Sequence, residues 1–166
     1  DAITGTPWAE QINGIQFMLP MITGLVILTG NGAWLVNGGS QSAITPANQT
    51  ANAQAYNGCN SHLQPLISNY DILYVQAKGS IVRNLSYDFY SNVFTGEDRT
   101  IFSSHLFNFN QIRQWCHAEE PFKIVWAARD DGTMLSMTYL KDQDIFAWTR
   151  HDTNGLFICP VSVTEP

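Results

Sequence analysis

His151 and Asp152 set an imidazole directly beside a carboxylate, the pairing that orients a general base in nucleophilic hydrolases. The chain carries no Gly-x-Ser-x-Gly elbow to supply the nucleophile. Beside the turn signal Asn154-Gly155, these two side chains are expected to bond the turn backbone instead. Glu119 and Glu120, taken with Asp130 or Asp131, supply the two carboxyl groups of glycoside hydrolysis, provided the fold holds them at a set separation. Metal chemistry has two openings. Cys116-His117 and Cys59 with His62 offer soft ligands, but a structural zinc site needs four in recognisable pairs. Asp142 with Asp144, and Asp152 with Asn154, offer oxygens to calcium without the full loop of alternating ligands. Neither glycine-rich phosphate loop, GxGxxG or GxxxxGK[ST], is present. Trp34, Trp126 and Trp148 would suit sugar stacking if exposed, but at strand positions large aromatics more often fill a packed face. These groupings assign no catalytic, cofactor-binding or metal-ligating residue. The expectation is a protein that is not an enzyme and carries no cofactor.

The elements that would have to position these residues read as strands. Residues 123–128 form an apolar run, Asp131-Gly132 marks a tight turn, and residues 135–139 alternate strictly between apolar and polar. A polar turn at 141–144 leads to a third β-rich run at 145–150. Asn154-Gly155 then introduces a fourth at 156–163, placed at a sheet edge because Pro160 cannot donate to a ladder. Four antiparallel strands in about 40 residues match the size of one propeller blade. In this reading Trp126 and Tyr139 face one core.

Similar hairpins lie upstream. Residues 72–77 and 81–87 flank Lys78-Gly79-Ser80, and residues 25–28 and 33–36 flank Gly30-Asn31-Gly32, with a further strand at 15–21. The expected architecture is all-β, built from antiparallel four-stranded meanders that are propeller-like or form an open β domain. It consists of about three repeats at approximately 13–56, 63–117 and 121–163, as part of a longer chain. One short helix is expected near 97–107, capped by Thr95 or Asp98, followed by a strand near 111–117. Residues 37–62 hold no Asp, Glu, Lys or Arg and read as a linker or as an extended strand at an assembly interface.

Charged residues make up 13% of the 166 residues, against about a quarter in ordinary soluble domains. The net charge of −6 and scattered Lys and Arg exclude the basic stripe that follows a phosphate backbone, so no specific nucleic-acid binding is expected. No apolar run reaches the roughly 18 residues of a membrane helix, so no membrane insertion is expected. Cys59, Cys116 and Cys159 show no CxxC spacing and read as reduced thiols of a protein made in a cytosol.

The stretch from Glu119-Glu120-Pro121-Phe122 through Ile124-Val125-Trp126-Ala127-Ala128-Arg129-Asp130-Asp131-Gly132, and on through Leu135-Ser136-Met137-Thr138-Tyr139 to Ala147-Trp148-Thr149-Arg150-His151-Asp152-Thr153-Asn154-Gly155, resembles tail structural proteins of short-tailed phages and related prophages. The pieces at 25–36 and 72–79 support the likeness. The resemblance implies a virion tail component, similar to the nozzle or hub proteins, synthesised in the host bacterial cytoplasm. It implies other tail or portal-adaptor proteins as partners and a homo-oligomeric ring in the full-length protein. No active site comes with it. A carbohydrate-binding receptor-recognition module is the alternative, and a glycan-cleaving domain a second. Asp130-Asp131-Gly132-Thr133 is similar to the turn motif of sialidase propellers, but that motif lies outside their active site, and the arginine cluster they need is missing.

Overall fold

Strict alternation of side chains suits a strand with one buried face, and at Met134–Leu140 half-buried and buried positions alternate without exception. In the computed structural model, which describes residues 13–39 and 43–163, this segment is one of twelve strands. Strands β1 (Ile15–Met21), β2 (Gly24–Thr29), β3 (Ala33–Asn37) and β4 (Thr50–Ala55) form the first sheet. Strands β5 (Leu66–Ser68), β6 (Asp71–Val75), β7 (Val82–Asp88) and β8 (Val93–Thr95) form the second. Strands β9 (Ile112–Ala118), β10 (Ile124–Arg129), β11 (Met134–Leu140) and β12 (Ile145–His151) form the third. Each sheet is an antiparallel meander whose spatial order follows the sequence. The domain is all-β and open, without a closed barrel.

The sheets stack through alternate side chains of the middle one. In β6, Ile72 and Tyr74 join a core with Val26, Leu28 and Leu35 of the first sheet. Leu73 and Val75, on the other face, join a core with Val125, Leu135, Met137 and Tyr139 of the third. All five β6 residues are therefore buried, which is why this strand reads as an unbroken Ile-Leu-Tyr-Val run rather than an alternating one. The segment linking the first two sheets also meets the end of β2 and its turn backbone to backbone. The Cys59 N–H donates to the Thr29 carbonyl at 2.9 Å. A Cβ on Gly58 would lie 1.8 Å from the Gly30 carbonyl oxygen, so this crossing admits no side chain.

The Asp131-Gly132 turn forms as expected. Gly132 takes φ +79° and its N–H donates to the Arg129 carbonyl, while the Arg129 N–H donates to Thr133. Other expectations are corrected. Residues 156–163 form no strand, so Asn154-Gly155 closes no hairpin and the meander does not run from 123 to 163. The fourth strand of the third sheet is β9, on the opposite side, pairing through Trp126↔Cys116 and Ala127↔Trp115. A strand near 111–117 was expected, but as the close of the second repeat; it opens the third sheet instead. The helix is a short 3-10 segment, Ile101–Leu106. Its N-cap is Thr100, without a side-chain cap bond, although Asp98 accepts from the Thr100 N–H at 2.7 Å. Of residues 37–62, Thr50–Ala55 is an edge strand.

Trp126 and Tyr139 do not share a core. Trp126 lies opposite Ser136 across the β10–β11 ladder, and Tyr139 is three residues on from Ser136, an odd step that reverses the face. Tyr139 is buried between the second and third sheets, whereas Trp126 is half-buried on the outer face of the third. Trp115, by contrast, is buried in this core, its indole N–H donating to the Gln64 carbonyl at 2.7 Å.

Candidate functional site

Two polar clusters stand out, and neither is the one the sequence points to most directly. The first is on the outer face of the third sheet. β12 pairs with β11 so that His151 lies opposite Met134, diagonal to Ser136. The His151 Nε2 is 2.7 Å from the Ser136 hydroxyl, and its ring stands 5.2 Å from that of Trp126. A serine within hydrogen-bond reach of a histidine is the first half of a hydrolase constellation. The adjacent carboxylate does not complete it, because Asp152 receives the Arg150 guanidinium at 2.9 Å. The Ser136 hydroxyl sits mid-strand, where the surrounding N–H groups belong to the ladder rather than to an oxyanion site.

The acidic residues resolve into turn fasteners. Asp131 accepts from the Arg129 guanidinium and from the Thr133 N–H. The hydrogen bond from Arg129 holds its carboxyl well below the usual carboxylate range, partly opposed by burial. Asp130 accepts from the Gln111 N–H at 3.2 Å, joining the turn to the start of β9. Glu119 and Glu120 precede β10 and Asp130 and Asp131 follow it, so the strand separates the two pairs by roughly 17 Å or more at ~3.3 Å per residue. The carboxyls of a glycosidase stand about 5–9.5 Å apart, so these residues are not brought together as one.

Cys116 and His117 fall on opposite faces of β9. Cys116 pairs with outward Trp126, and His117 pairs with core-facing Val125. Burial lowers the His117 pKa, and its Nε2 has no hydrogen-bond partner. Cys59 is buried at the junction of the first two sheets, and burial pushes its thiol up to about 12. His62 is exposed beyond it. Among the described residues no three His, Cys, Asp or Glu side chains gather where a metal ion could sit. Asp144 closes the Lys141–Gln143 turn with φ +51°, leaving no calcium loop around Asp142.

The second cluster joins two sheets and is the one sequence reasoning missed. Asp71, at the start of β6, is 1% exposed. It accepts the Tyr139 hydroxyl at 2.6 Å and the Lys141 ammonium at 2.5 Å, and Lys141 also reaches the Ser86 hydroxyl. Burial, then Asp71, raises the Tyr139 phenol well above its ordinary value. Nearby, the Arg99 guanidinium lies 3.7 Å from the centre of the Phe146 ring, and the Trp148 indole donates to the Arg99 carbonyl. Bonded to both the buried Asp71 carboxylate and Ser86, Lys141 clamps the third sheet to the second. One signal in the sequence pointed here. Asp71 is the first charged residue after sixty without one, and it heads an apolar strand.

An open concavity of about 200 Å³ lies at the β1–β2 turn among Met21, Ile22, Gly24, Asn37 and Ile44. No ionisable group lines it. Trp34 and Trp126 are half-buried on outer sheet faces, and Trp148 packs edge-on to Phe107 at 4.9 Å. Neither a search with protein-family models nor a comparison with curated protein sequences found a match to this chain.

Proposed function

We propose that the chain is a non-enzymatic structural module of a phage tail, an assembly component of a nozzle- or hub-like conduit. The observation that carries this reading is the surface. Among the described residues, nineteen large hydrophobic side chains are exposed, from Ile15 and Met18 to Val161 and Val163. Single exposed apolar residues are ordinary, but this many beside a long charge-free stretch suits a surface made to be covered. The resemblance at 119–155 supplies the setting, and the charge balance suits a wall past which DNA slides without sticking. The test is immuno-electron microscopy of particles released by the producing host. Labelling on the tail is expected; labelling confined to particle-free lysate would overturn the proposal.

One observation favours the carbohydrate-binding alternative. At the β7–β8 hairpin Tyr90 is 99% exposed and stands among Asp88, Ser91 and Asn92, an aromatic platform with polar neighbours. A glycan array read with Tyr90→Ala decides it: binding that the substitution abolishes establishes the receptor-module reading.

A further inference from the structure

The stacking leaves two sheet faces that no described sheet covers. On the first sheet these outward positions follow from the register, through Met18↔Ile27↔Trp34 and Leu25↔Val36. Met18 is 58% exposed. On the third sheet the register sets Ile124 opposite Thr138 and Trp126 opposite Ser136, all half-buried and facing away from the core. The segment 156–163 adjoins that face, with Leu156 against Gly132 and the Phe157 N–H donating to the Gly132 carbonyl. Its Ile158 and Val161 are 80% and 76% exposed.

The first face carries no Asp, Glu, Lys or Arg, and on the third sheet one such residue, Arg113, is exposed at the bulge near the start of edge strand β9. The first sheet lies wholly within the charge-free run of residues 11–70, and the other charges of the third sheet sit at its turns and ends or on its other face. With Arg113 left at the solvent edge of β9, placing one face on the other buries no unpaired charge, the step that most often makes a sheet-on-sheet contact costly. The middle sheet sets the precedent. It takes the first sheet on one face and the third on the other through apolar side chains, with a single ion pair, Lys141–Asp71, added to the second contact. Each sheet in the chain is laid on the previous one in the same order.

We propose that a second copy of this chain continues the stack head-to-tail, seating the outer face of its first sheet on the outer face of the third sheet and the adjoining 156–163 segment. This rests on the assembly reading above and names the partner. The contact joins two different patches, so it is heterologous and propagates or closes into a ring rather than stopping at a two-fold dimer.

The test uses the full chain in sedimentation equilibrium across a wide concentration range. Met18→Glu blocks the first face and Ile158→Glu the second, and both positions are exposed enough for the fold to survive, which circular dichroism checks. The wild type is expected to associate, and each variant alone to lose at least about tenfold in association constant, since a charge buried without a partner costs more than the 1.4 kcal/mol that tenfold represents. Mixed together, the two variants are expected to form a one-to-one dimer that grows no further, because each retains the face the other lacks. A monomeric wild type, an Ile158→Glu variant that associates like wild type through first-sheet pairing, or a mixture that stays monomeric overturns the inference. None of these moves the tail labelling, which tests the assembly reading separately.

Discussion

Replacing Tyr139 with Phe removes one oxygen and keeps the ring that fills the second core. That oxygen donates to Asp71 at 2.6 Å, and the carboxylate it serves is 1% exposed. A hydrogen bond to a charged group contributes about 1.5–3 kcal/mol, and here water cannot readily take the missing place. Tyr139→Phe should therefore cost about 1.5–3 kcal/mol in urea unfolding, or roughly 3–12 °C in Tm at ~2–4 °C per kcal/mol for a chain of this length. Asp71→Leu combined with Tyr139→Phe removes donor and acceptor together, and Lys141, whose side chain is 40% exposed, can turn to water. The pair should destabilise by less than the sum of the singles. Alkaline pH gives an independent check. Because burial and Asp71 raise the folded phenol above its ordinary value, the unfolded chain loses that proton first. The stability contributed by the neutral phenol is complete below about pH 10 and declines above it, so the gap between wild type and Tyr139→Phe should narrow there. Tyr74 and Cys59, both pushed up to about 12 by burial, titrate alike in the two proteins and drop out of the difference. A cost within about 0.5 kcal/mol of zero, or a gap unchanged above pH 10, would refute the assignment of this network as a clamp.

Three further outcomes are expected. Asp131→Asn should destabilise at neutral pH, and its deficit should shrink as pH falls below about 4, because the depressed carboxyl contributes stability above its unfolded value and loses it toward the folded one; acid titration of unfolding in both proteins reads this. Gly58→Ala should unfold the chain or cost more than about 3 kcal/mol by urea unfolding, since the new methyl meets the Gly30 carbonyl in a backbone contact that cannot give way. Trp115→Ala should cost about 3–5 kcal/mol and Trp126→Ala clearly less, in line with their places on opposite faces; equal losses in chemical denaturation would contradict the register.

The hairpins around Gly32, Gly79 and Gly132 were legible because a turn glycine flanked by apolar runs is a purely local signal. What failed depended on partners that local signals do not identify. Ile158, Val161 and Val163 have the composition of a strand, but composition does not show whether a ladder waits for them, and residues 156–163 form none. The segment 112–118 was readable as a strand, yet nothing in it says that its neighbour is β10 rather than β8. The Trp126 error came from register. Ala128 pairs with Met134, so five residues close the hairpin, and that length decides which side chains share a face. The Asp71–Tyr139–Lys141 clamp joins residues about seventy apart in sequence, and no motif records such a distance. His151 stood out for its neighbour Asp152, but strand geometry turned it to Ser136, fifteen residues earlier.

The middle strand β6, walled in on both faces and bonded along both edges, sets how the molecule breathes. Its amides have no route to solvent that does not first part a neighbouring strand and lift a sheet away. Hydrogen exchange there should report the global unfolding free energy, while β12, half open to water along its length, exchanges through local fraying at much lower cost. Protection would then rise from both outer sheets toward the centre of the sequence. Because every sheet is wired from consecutive hairpins, contacts within a sheet span short loops and form quickly, whereas the docking of sheets on β6 comes last. A chain caught before that docking would present the apolar faces of β6 and its neighbours together, which makes the undocked intermediate the species most prone to aggregate.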